Sequence, residues 1–303
     1  MRGCSCRGTA DFAHVSCLAE QAKLLFAEAE ENNLDWEVKN PRWNRWHTCS
    51  LCEQEYHGVV MCALGWACWK TYLGRPEDDW ARGAAMNVLG NGLHDGGHHE
   101  DALSVKEAEL ATLRRIGASE ENILSVKNNI ANSHAKLGRN QQASNMLRDV
   151  YSGRVRLSGE EHEETVIAAL NYATSLGMLL RVEEAKSLLR KTVPVAQRTL
   201  GESDETTLRL RSSYAGVLCQ DGATLDDLRE AVSTLEDTAR TARRVLGGAN
   251  PTTANIERDL QNARALLSAR ETTSNKTTIY FLPLNSLCRF GFCFGASVDP
   301  YSK

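Results

Sequence analysis

The residues with most chemistry to offer lie at the front of the chain. Cys4 and Cys6, His14 and Cys17, and Cys49 and Cys52 form three short-spaced pairs: Cys-x-Cys, His-x-x-Cys and Cys-x-x-Cys. Thiolates and neutral imidazoles at such spacings can converge on tetrahedral zinc. Three pairs within one segment carry more weight than one. Seven of the ten cysteines lie at or before Cys68, and so do the metal-spaced pairs. No secretory leader is visible, so a reducing, cytoplasmic setting is expected, in which thiols serve as ligands or stay reduced.

Other chemistries find less support. His94, His98 and His99 with Asp95 fall in the segment HDGGHHED, which reads as a hairpin turn rather than a metal site. GNGLHDGG lacks the preceding strand that a dinucleotide-binding turn needs. There is no P-loop, nucleophile elbow or triad spacing. The net charge of -4 gives no global field for nucleic acid. The apolar run Val59 to Trp69 is shorter than the ~20 residues that cross a bilayer. Cys62 and Cys68 in that run read as buried thiols, and Cys288 and Cys293 have no companion pair.

The elements that must carry these residues follow from periodicity. Leu18 to Asn32 reads as a helix between the second and third pairs. All six tryptophans lie at or before Trp80, so composition changes near Pro76. Beyond it the chain repeats. Asn129-Ile130-Ala131, Asn171-Tyr172-Ala173 and Ser213-Tyr214-Ala215 recur at a step of 42; Gly117, Gly159, Gly201 and Gly247 recur at steps of 42, 42 and 46. The longer last step places an insertion at Ala223 to Asp226. Ile123, Thr165, Thr207 and Thr253 follow the same rhythm.

Each unit reads as two helices, with Thr165 or Thr207 able to cap the first. Ala131, Ala173 and Ala215 suit close helix contact. Ala143 and Leu147, Ala185 and Leu189, and Ala231 and Leu235 place apolar residues four apart on the second. Pro194 inside a second helix predicts a kink. A single helical hairpin cannot bury its own apolar face, so neighbouring units must stack.

NNIANSHAKLGRNQQA followed by GEEHEETVIAALNYA resembles tetratricopeptide repeats of the kinesin-light-chain type, over about four hairpins from Trp80 to Glu271. The resemblance implies an all-α helical solenoid whose first helices line a groove that recognises a protein or peptide. Asn87 and Asn91, and Asn128 and Asn132, are four apart at equivalent groove positions; Asn129 and Asn171 share another; Arg209 and Arg211 follow one repeat later. Asparagine offers a donor and an acceptor to a peptide backbone, and arginine can hold a carboxylate.

CSCRGTADFAHVSCL and CSLC together resemble the RING-CH finger of membrane-associated ubiquitin ligases, which binds two zinc ions through four ligand pairs. By that resemblance Cys4 and Cys6 are the second pair, His14 and Cys17 the third, and Cys49 and Cys52 the fourth. The first has no counterpart, since the chain starts too late, which leaves open whether Met1 is the true start. One zinc site, Cys4, Cys6, Cys49 and Cys52, is then complete, and the other keeps only His14 and Cys17. Gln21 stands where the family has a tryptophan that docks the ubiquitin-conjugating enzyme.

The expected organisation is a partial zinc module over 1–53, an aromatic helical connector over 54–79, repeats over 80–271 and an irregular tail over 272–303. The expected role is a protein-interaction adaptor without a transmembrane segment or nucleic-acid partner. The alternative is a RING-type ubiquitin ligase or ligase subunit whose repeats choose its substrate.

Overall fold

A computed structural model describes residues 14–275. Among these residues there are twelve α-helices and no strand; one isolated antiparallel bridge joins Thr48 to Glu55. The described residues form two compact units, divided after Met146.

The first unit opens with α1 (Val15–Glu31), α2 (Trp36–Trp43), a short 3-10 turn over Asn44–Trp46, and α3 (Gly58–Tyr72). α1 is the helix expected between the cysteine pairs. It packs through Ala22, Phe26 and Ala29, spaced for one helical face. Phe26 meets Trp43 edge to face at 5.0 Å, and Trp43 meets Trp80 at 4.8 Å. Arg75 lies over the Tyr72 ring at 4.9 Å and grips Glu30 of α1 through two bonds of 2.7 and 2.6 Å. The tryptophan-rich front is therefore a packed core built by residues far apart in sequence.

The unit continues with α4 (Trp80–Asp95), α5 (His99–Arg115) and α6 (Glu120–Lys136). The composition change near Pro76 is not a gap in packing. Ala81, Ala84, Ala85 and Val88 of α4 share one core with α1 and α3. α3 and α4 approach so closely that a Cβ on Gly92 would stand 2.6 Å from the Met61 carbonyl oxygen, and one on Gly65 3.0 Å from Leu89 Cα. Cys68 is fully buried as expected, whereas Cys62 is only half-buried against Gly96. The histidine-rich segment forms the turn from α4 to α5.

α7 (Asn140–Ser158) contains the division between the units. The second unit then holds α8 (Glu163–Met178), α9 (Val182–Thr199), α10 (Glu205–Leu218), α11 (Leu225–Val245) and α12 (Pro251–Asn275). The small residues Ala131, Ala173 and Ala215 are fully buried, as are the Ala and Leu pairs of the second helices. The linking turns use the left-handed region: Gly138 and Gly222 have φ of 75° and 90°. Leu180 occupies the corresponding place, 42 residues from each, at φ 58°. Glycine would adopt that backbone without the Cβ clash that leucine incurs.

Three local expectations are corrected. Thr165 and Thr207 do not cap their helices: His162 accepts from the Glu164 amide at 3.3 Å, and Asp204 accepts from those of Thr206 and Thr207 at 2.8 and 3.2 Å. Both threonines sit one turn inside, buried, where the stack rather than the helix end constrains them. The insertion at Ala223 to Asp226 is only half loop, because Thr224 caps α11 in a reciprocal box with Asp227. Finally, α12 runs through Asn275, past the expected onset of the tail; the remainder of that tail lies outside the described residues.

Ion pairs join neighbouring hairpins of the second unit on its surface. Lys186 meets Asp227 at 2.5 Å, Arg229 meets Glu271 at 3.1 Å and Arg264 meets Glu236 at 2.7 Å; Lys191 with Glu160 and Arg198 with Glu161 add two more.

Candidate functional site

The inner helices bring the expected asparagines to defined places. The turns after α4 and α6 close alike: Gly97 and Gly138 donate to the carbonyls of His94 and Ala135. Those glycines are 41 apart, the step that relates Asn87 to Asn128 and Asn91 to Asn132. The two pairs are thus equivalent in the folded chain. Asn87, Asn128, Asn129, Asn132 and Asn171 are all below 5% exposed, and Asn91 is half-buried. Groove positions were expected, and the structure buries these amides, in the first unit as a polar seam.

In the first unit this seam has unmet hydrogen-bonding capacity. Asn91 Nδ2 donates to Asn87 Oδ1 at 3.0 Å. Asn87 Nδ2 and Asn91 Oδ1 are then buried without a partner, as is Asn132 Oδ1. Exchanging oxygen and nitrogen in both amides of the Asn87–Asn91 pair preserves the result: one donor and one acceptor stay open.

Sequence inspection read His94 only as part of a turn and missed the other groups beside the seam. Ser133 on α6 donates to the Asn129 carbonyl at 3.2 Å and lies 3.4 Å from His94 Nδ1. With the hydroxyl proton engaged, His94 donates from Nδ1, and its buried Nε2 keeps a bare lone pair without a partner. Burial, then the charge of Lys106, push His94 down to about 2. Lys106 is itself fully enclosed, which lowers its amine to about 8 against the opposing pull of Glu109. Lys106 was legible in principle: it interrupts the apolar spacing Leu103, Leu110, Leu113 on α5.

In the second unit Arg211 lies 3.6 Å from Glu202, and Arg209 is half-buried on the same helix. Asp259 of α12 was also missed, although it stands one repeat after Ser213, at the longer step of 46.

Cys4 and Cys6 lie outside the described residues. His14 precedes α1 and Cys17 sits in its first turn, both exposed. Cys49 and Cys52 occupy a tight knuckle. The Cys49 amide donates to Gln54 O at 2.9 Å, the Glu53 amide returns to Cys49 O at 3.0 Å, and Glu53 takes φ 57°. The Leu51 amide points at Cys49 Sγ from 3.5 Å. An amide aimed at sulfur favours thiolate, so this pair fits half of a tetrahedral zinc site. Among the described residues no group of three or more Cys, His, Asp or Glu gathers as a metal site, so His14 and Cys17 are not brought to that knuckle. Gln21 is exposed on α1.

Helical hairpins in register define the class of protein, a repeat array. The tetratricopeptide-repeat family model matches residues 122–198, the span of α6 to α9. No curated protein matches the chain. Among solved structures, a putative kinesin light chain with nearly identical TPR-like repeats from Podosopora anserina is 18% identical, with 77% of this chain and 98% of that one covered, at a TM-score of 0.47. BtubC (BKLC) from P. vanneervenii is 13% identical, with coverage of 91% and 98% and a TM-score of 0.45. These similarities give no support to a RING-CH finger or a ubiquitin-conjugating partner. No helix among the described residues is long and apolar enough to cross a membrane.

Proposed function

We propose that this chain is a protein-interaction adaptor whose inner helices receive an extended peptide segment, with the N-terminal module cross-linked by zinc. The observation that carries it is the polar seam on α4 and α6. A buried donor or acceptor left unmet costs about 1–3 kcal/mol. Asn87, Asn91 and Asn132 present such groups of both kinds within one seam. An extended peptide supplies N–H and C=O groups in alternation, which suits that demand. The tetratricopeptide match over α6 to α9 and the 42-residue register support the same reading, including its kinesin-light-chain character.

Panning the purified chain against a displayed random peptide library tests the proposal. Peptides recovered in this way should lose about tenfold in affinity on Asn91→Ala. Recovered peptides whose affinity ignores Asn91→Ala and Asn132→Ala alike would overturn the assignment of the seam.

For zinc, Cys49 and Cys52 supply one half of the four-thiolate set and Cys4 and Cys6 the other. The ion would serve as a structural cross-link. Elemental analysis should find about one zinc per chain, lost on Cys49→Ser. A zinc-free wild-type protein purified without chelator would refute this part.

A further inference from the structure

Asp259 is the one carboxylate at a repeat position that elsewhere holds Asn129, Asn171 and Ser213, at steps of 42, 42 and 46. The helix starts confirm the longer last step. Asp204 and Asn250, 46 apart, cap α10 and α12 in the same way, each accepting from the amide two residues on, at 2.8 and 2.7 Å. Asp259 therefore belongs to the inner-helix face of the second unit, on α12 beside α10.

Its surroundings are unusual for a carboxylate. Oδ2 accepts from Ser212 of α10 at 3.2 Å. Oδ1 is buried and has no hydrogen-bond partner. Among the described residues no ion pair reaches this side chain. The cation that acts on it, Arg258, donates to Asn255 at 2.7 Å. Burial raises the carboxyl to about 6, with Ser212 opposing the rise more than Arg258 does. The carboxylate is desolvated, with Ser212 on Oδ2 and nothing on Oδ1.

An uncompensated charge in such a place gains more from a cation than an exposed one does, since its water has already been removed. We infer that Asp259, with Ser212, is a specificity pocket for a basic side chain, a lysine or arginine of the bound peptide. This inference rests on the peptide-binding reading and adds to it the chemistry of the partner.

The test uses the full chain and a displayed library of random dodecapeptides, panned in parallel on wild type and Asp259→Asn. Wild-type binders should concentrate Lys or Arg at one position, and Asp259→Asn binders should not. A wild-type peptide should then be resynthesised with norleucine in place of that basic residue. Replacing the residue should cost about tenfold in affinity for wild type and almost nothing for Asp259→Asn, as a direct pair requires. The norleucine arm needs no protein variant, so a misfolded Asp259→Asn would not obscure the loss on wild type. Binders without a basic preference, or losses that simply add in the two-by-two comparison, would overturn the pocket while leaving peptide binding in place. An empty panning on wild type would remove peptide binding itself, and the pocket with it.

Discussion

Gly92→Ala is the sharpest probe of how the front of this chain is held together. Gly92 lies inside α4 with ordinary helical backbone, so alanine by itself should stabilise the helix by about 1 kcal/mol. The alanine Cβ would instead meet the Met61 carbonyl oxygen at 2.6 Å and Cys62 Cα at 3.1 Å. Both are backbone atoms of α3, so no side chain can swing aside. The two helices must separate by several tenths of an ångström along a core that also holds Leu64, Cys68 and Tyr72. Overpacking of this kind costs about 1–3 kcal/mol and occasionally more, so the net change should be a destabilisation of about 2 kcal/mol. Urea unfolding followed by tryptophan fluorescence reads it directly, because all six tryptophans lie at or before Trp80. With a slope of about 2 kcal/mol per molar, the midpoint should fall by about 1 M. Gly74→Ala, whose Cβ would meet nothing within 4 Å, is the control and should leave the midpoint nearly unmoved. A Gly92→Ala protein as stable as wild type would refute the close crossing of α3 and α4.

Three further outcomes follow from the same structure. Leu180→Gly should raise stability by about 0.5–1 kcal/mol, since the exposed leucine holds a left-handed turn that glycine occupies freely; a loss in thermal unfolding would contradict this. His94 goes from about 6.5 in the unfolded chain to about 2 when folded, so the unfolded state binds the extra proton between those values and stability falls as pH drops. Wild type should therefore lose about 2–3 kcal/mol more than His94→Gln between pH 7 and 4.5, and parallel urea profiles would disprove it. Asp259 shifts the other way, from 3.8 to about 6, so the folded chain holds the extra proton in that window and stability falls as pH rises through it. Asp259→Asn should consequently be more stable by about 1–3 kcal/mol at pH 7.5, with the gap closing by pH 4; circular dichroism would detect a constant gap if the assignment were wrong.

The repeat architecture was legible because its signals are local. Paired apolar residues four apart in the second helices, small residues in the first and glycines at the turns all act within one hairpin, and the structure uses each as expected. The aromatic front was legible as composition but not as packing. Nothing in the neighbourhood of Phe26 announces Trp43 or Trp80, and Gly92 looks like a poor helix residue until Met61 is seen behind it. The asparagines were found through the register, yet their burial was not, since accessibility depends on how closely neighbouring helices approach. The buried settings of His94, Lys106 and Asp259 escaped for a related reason. A titratable residue signals itself in sequence through its neighbours along the chain, whereas these three acquire their character chiefly from burial by the helices packed around them.

The ion pairs between neighbouring hairpins of the second unit have a mechanical consequence. Each ties residues 28 to 42 apart in sequence, such as Arg264 with Glu236 and Arg229 with Glu271, and all are at least partly solvated. Individually they contribute about 0–1 kcal/mol to stability. They lie, however, at the periphery, where small rotations of one hairpin on the next move atoms farthest. The apolar seam acts as a hinge line, and these charges act as springs beside it. Screening at physiological salt has a length of about 8 Å, so raising ionic strength weakens the springs and leaves the hinge intact. Raising ionic strength should thus make this unit easier to bend while it stays folded.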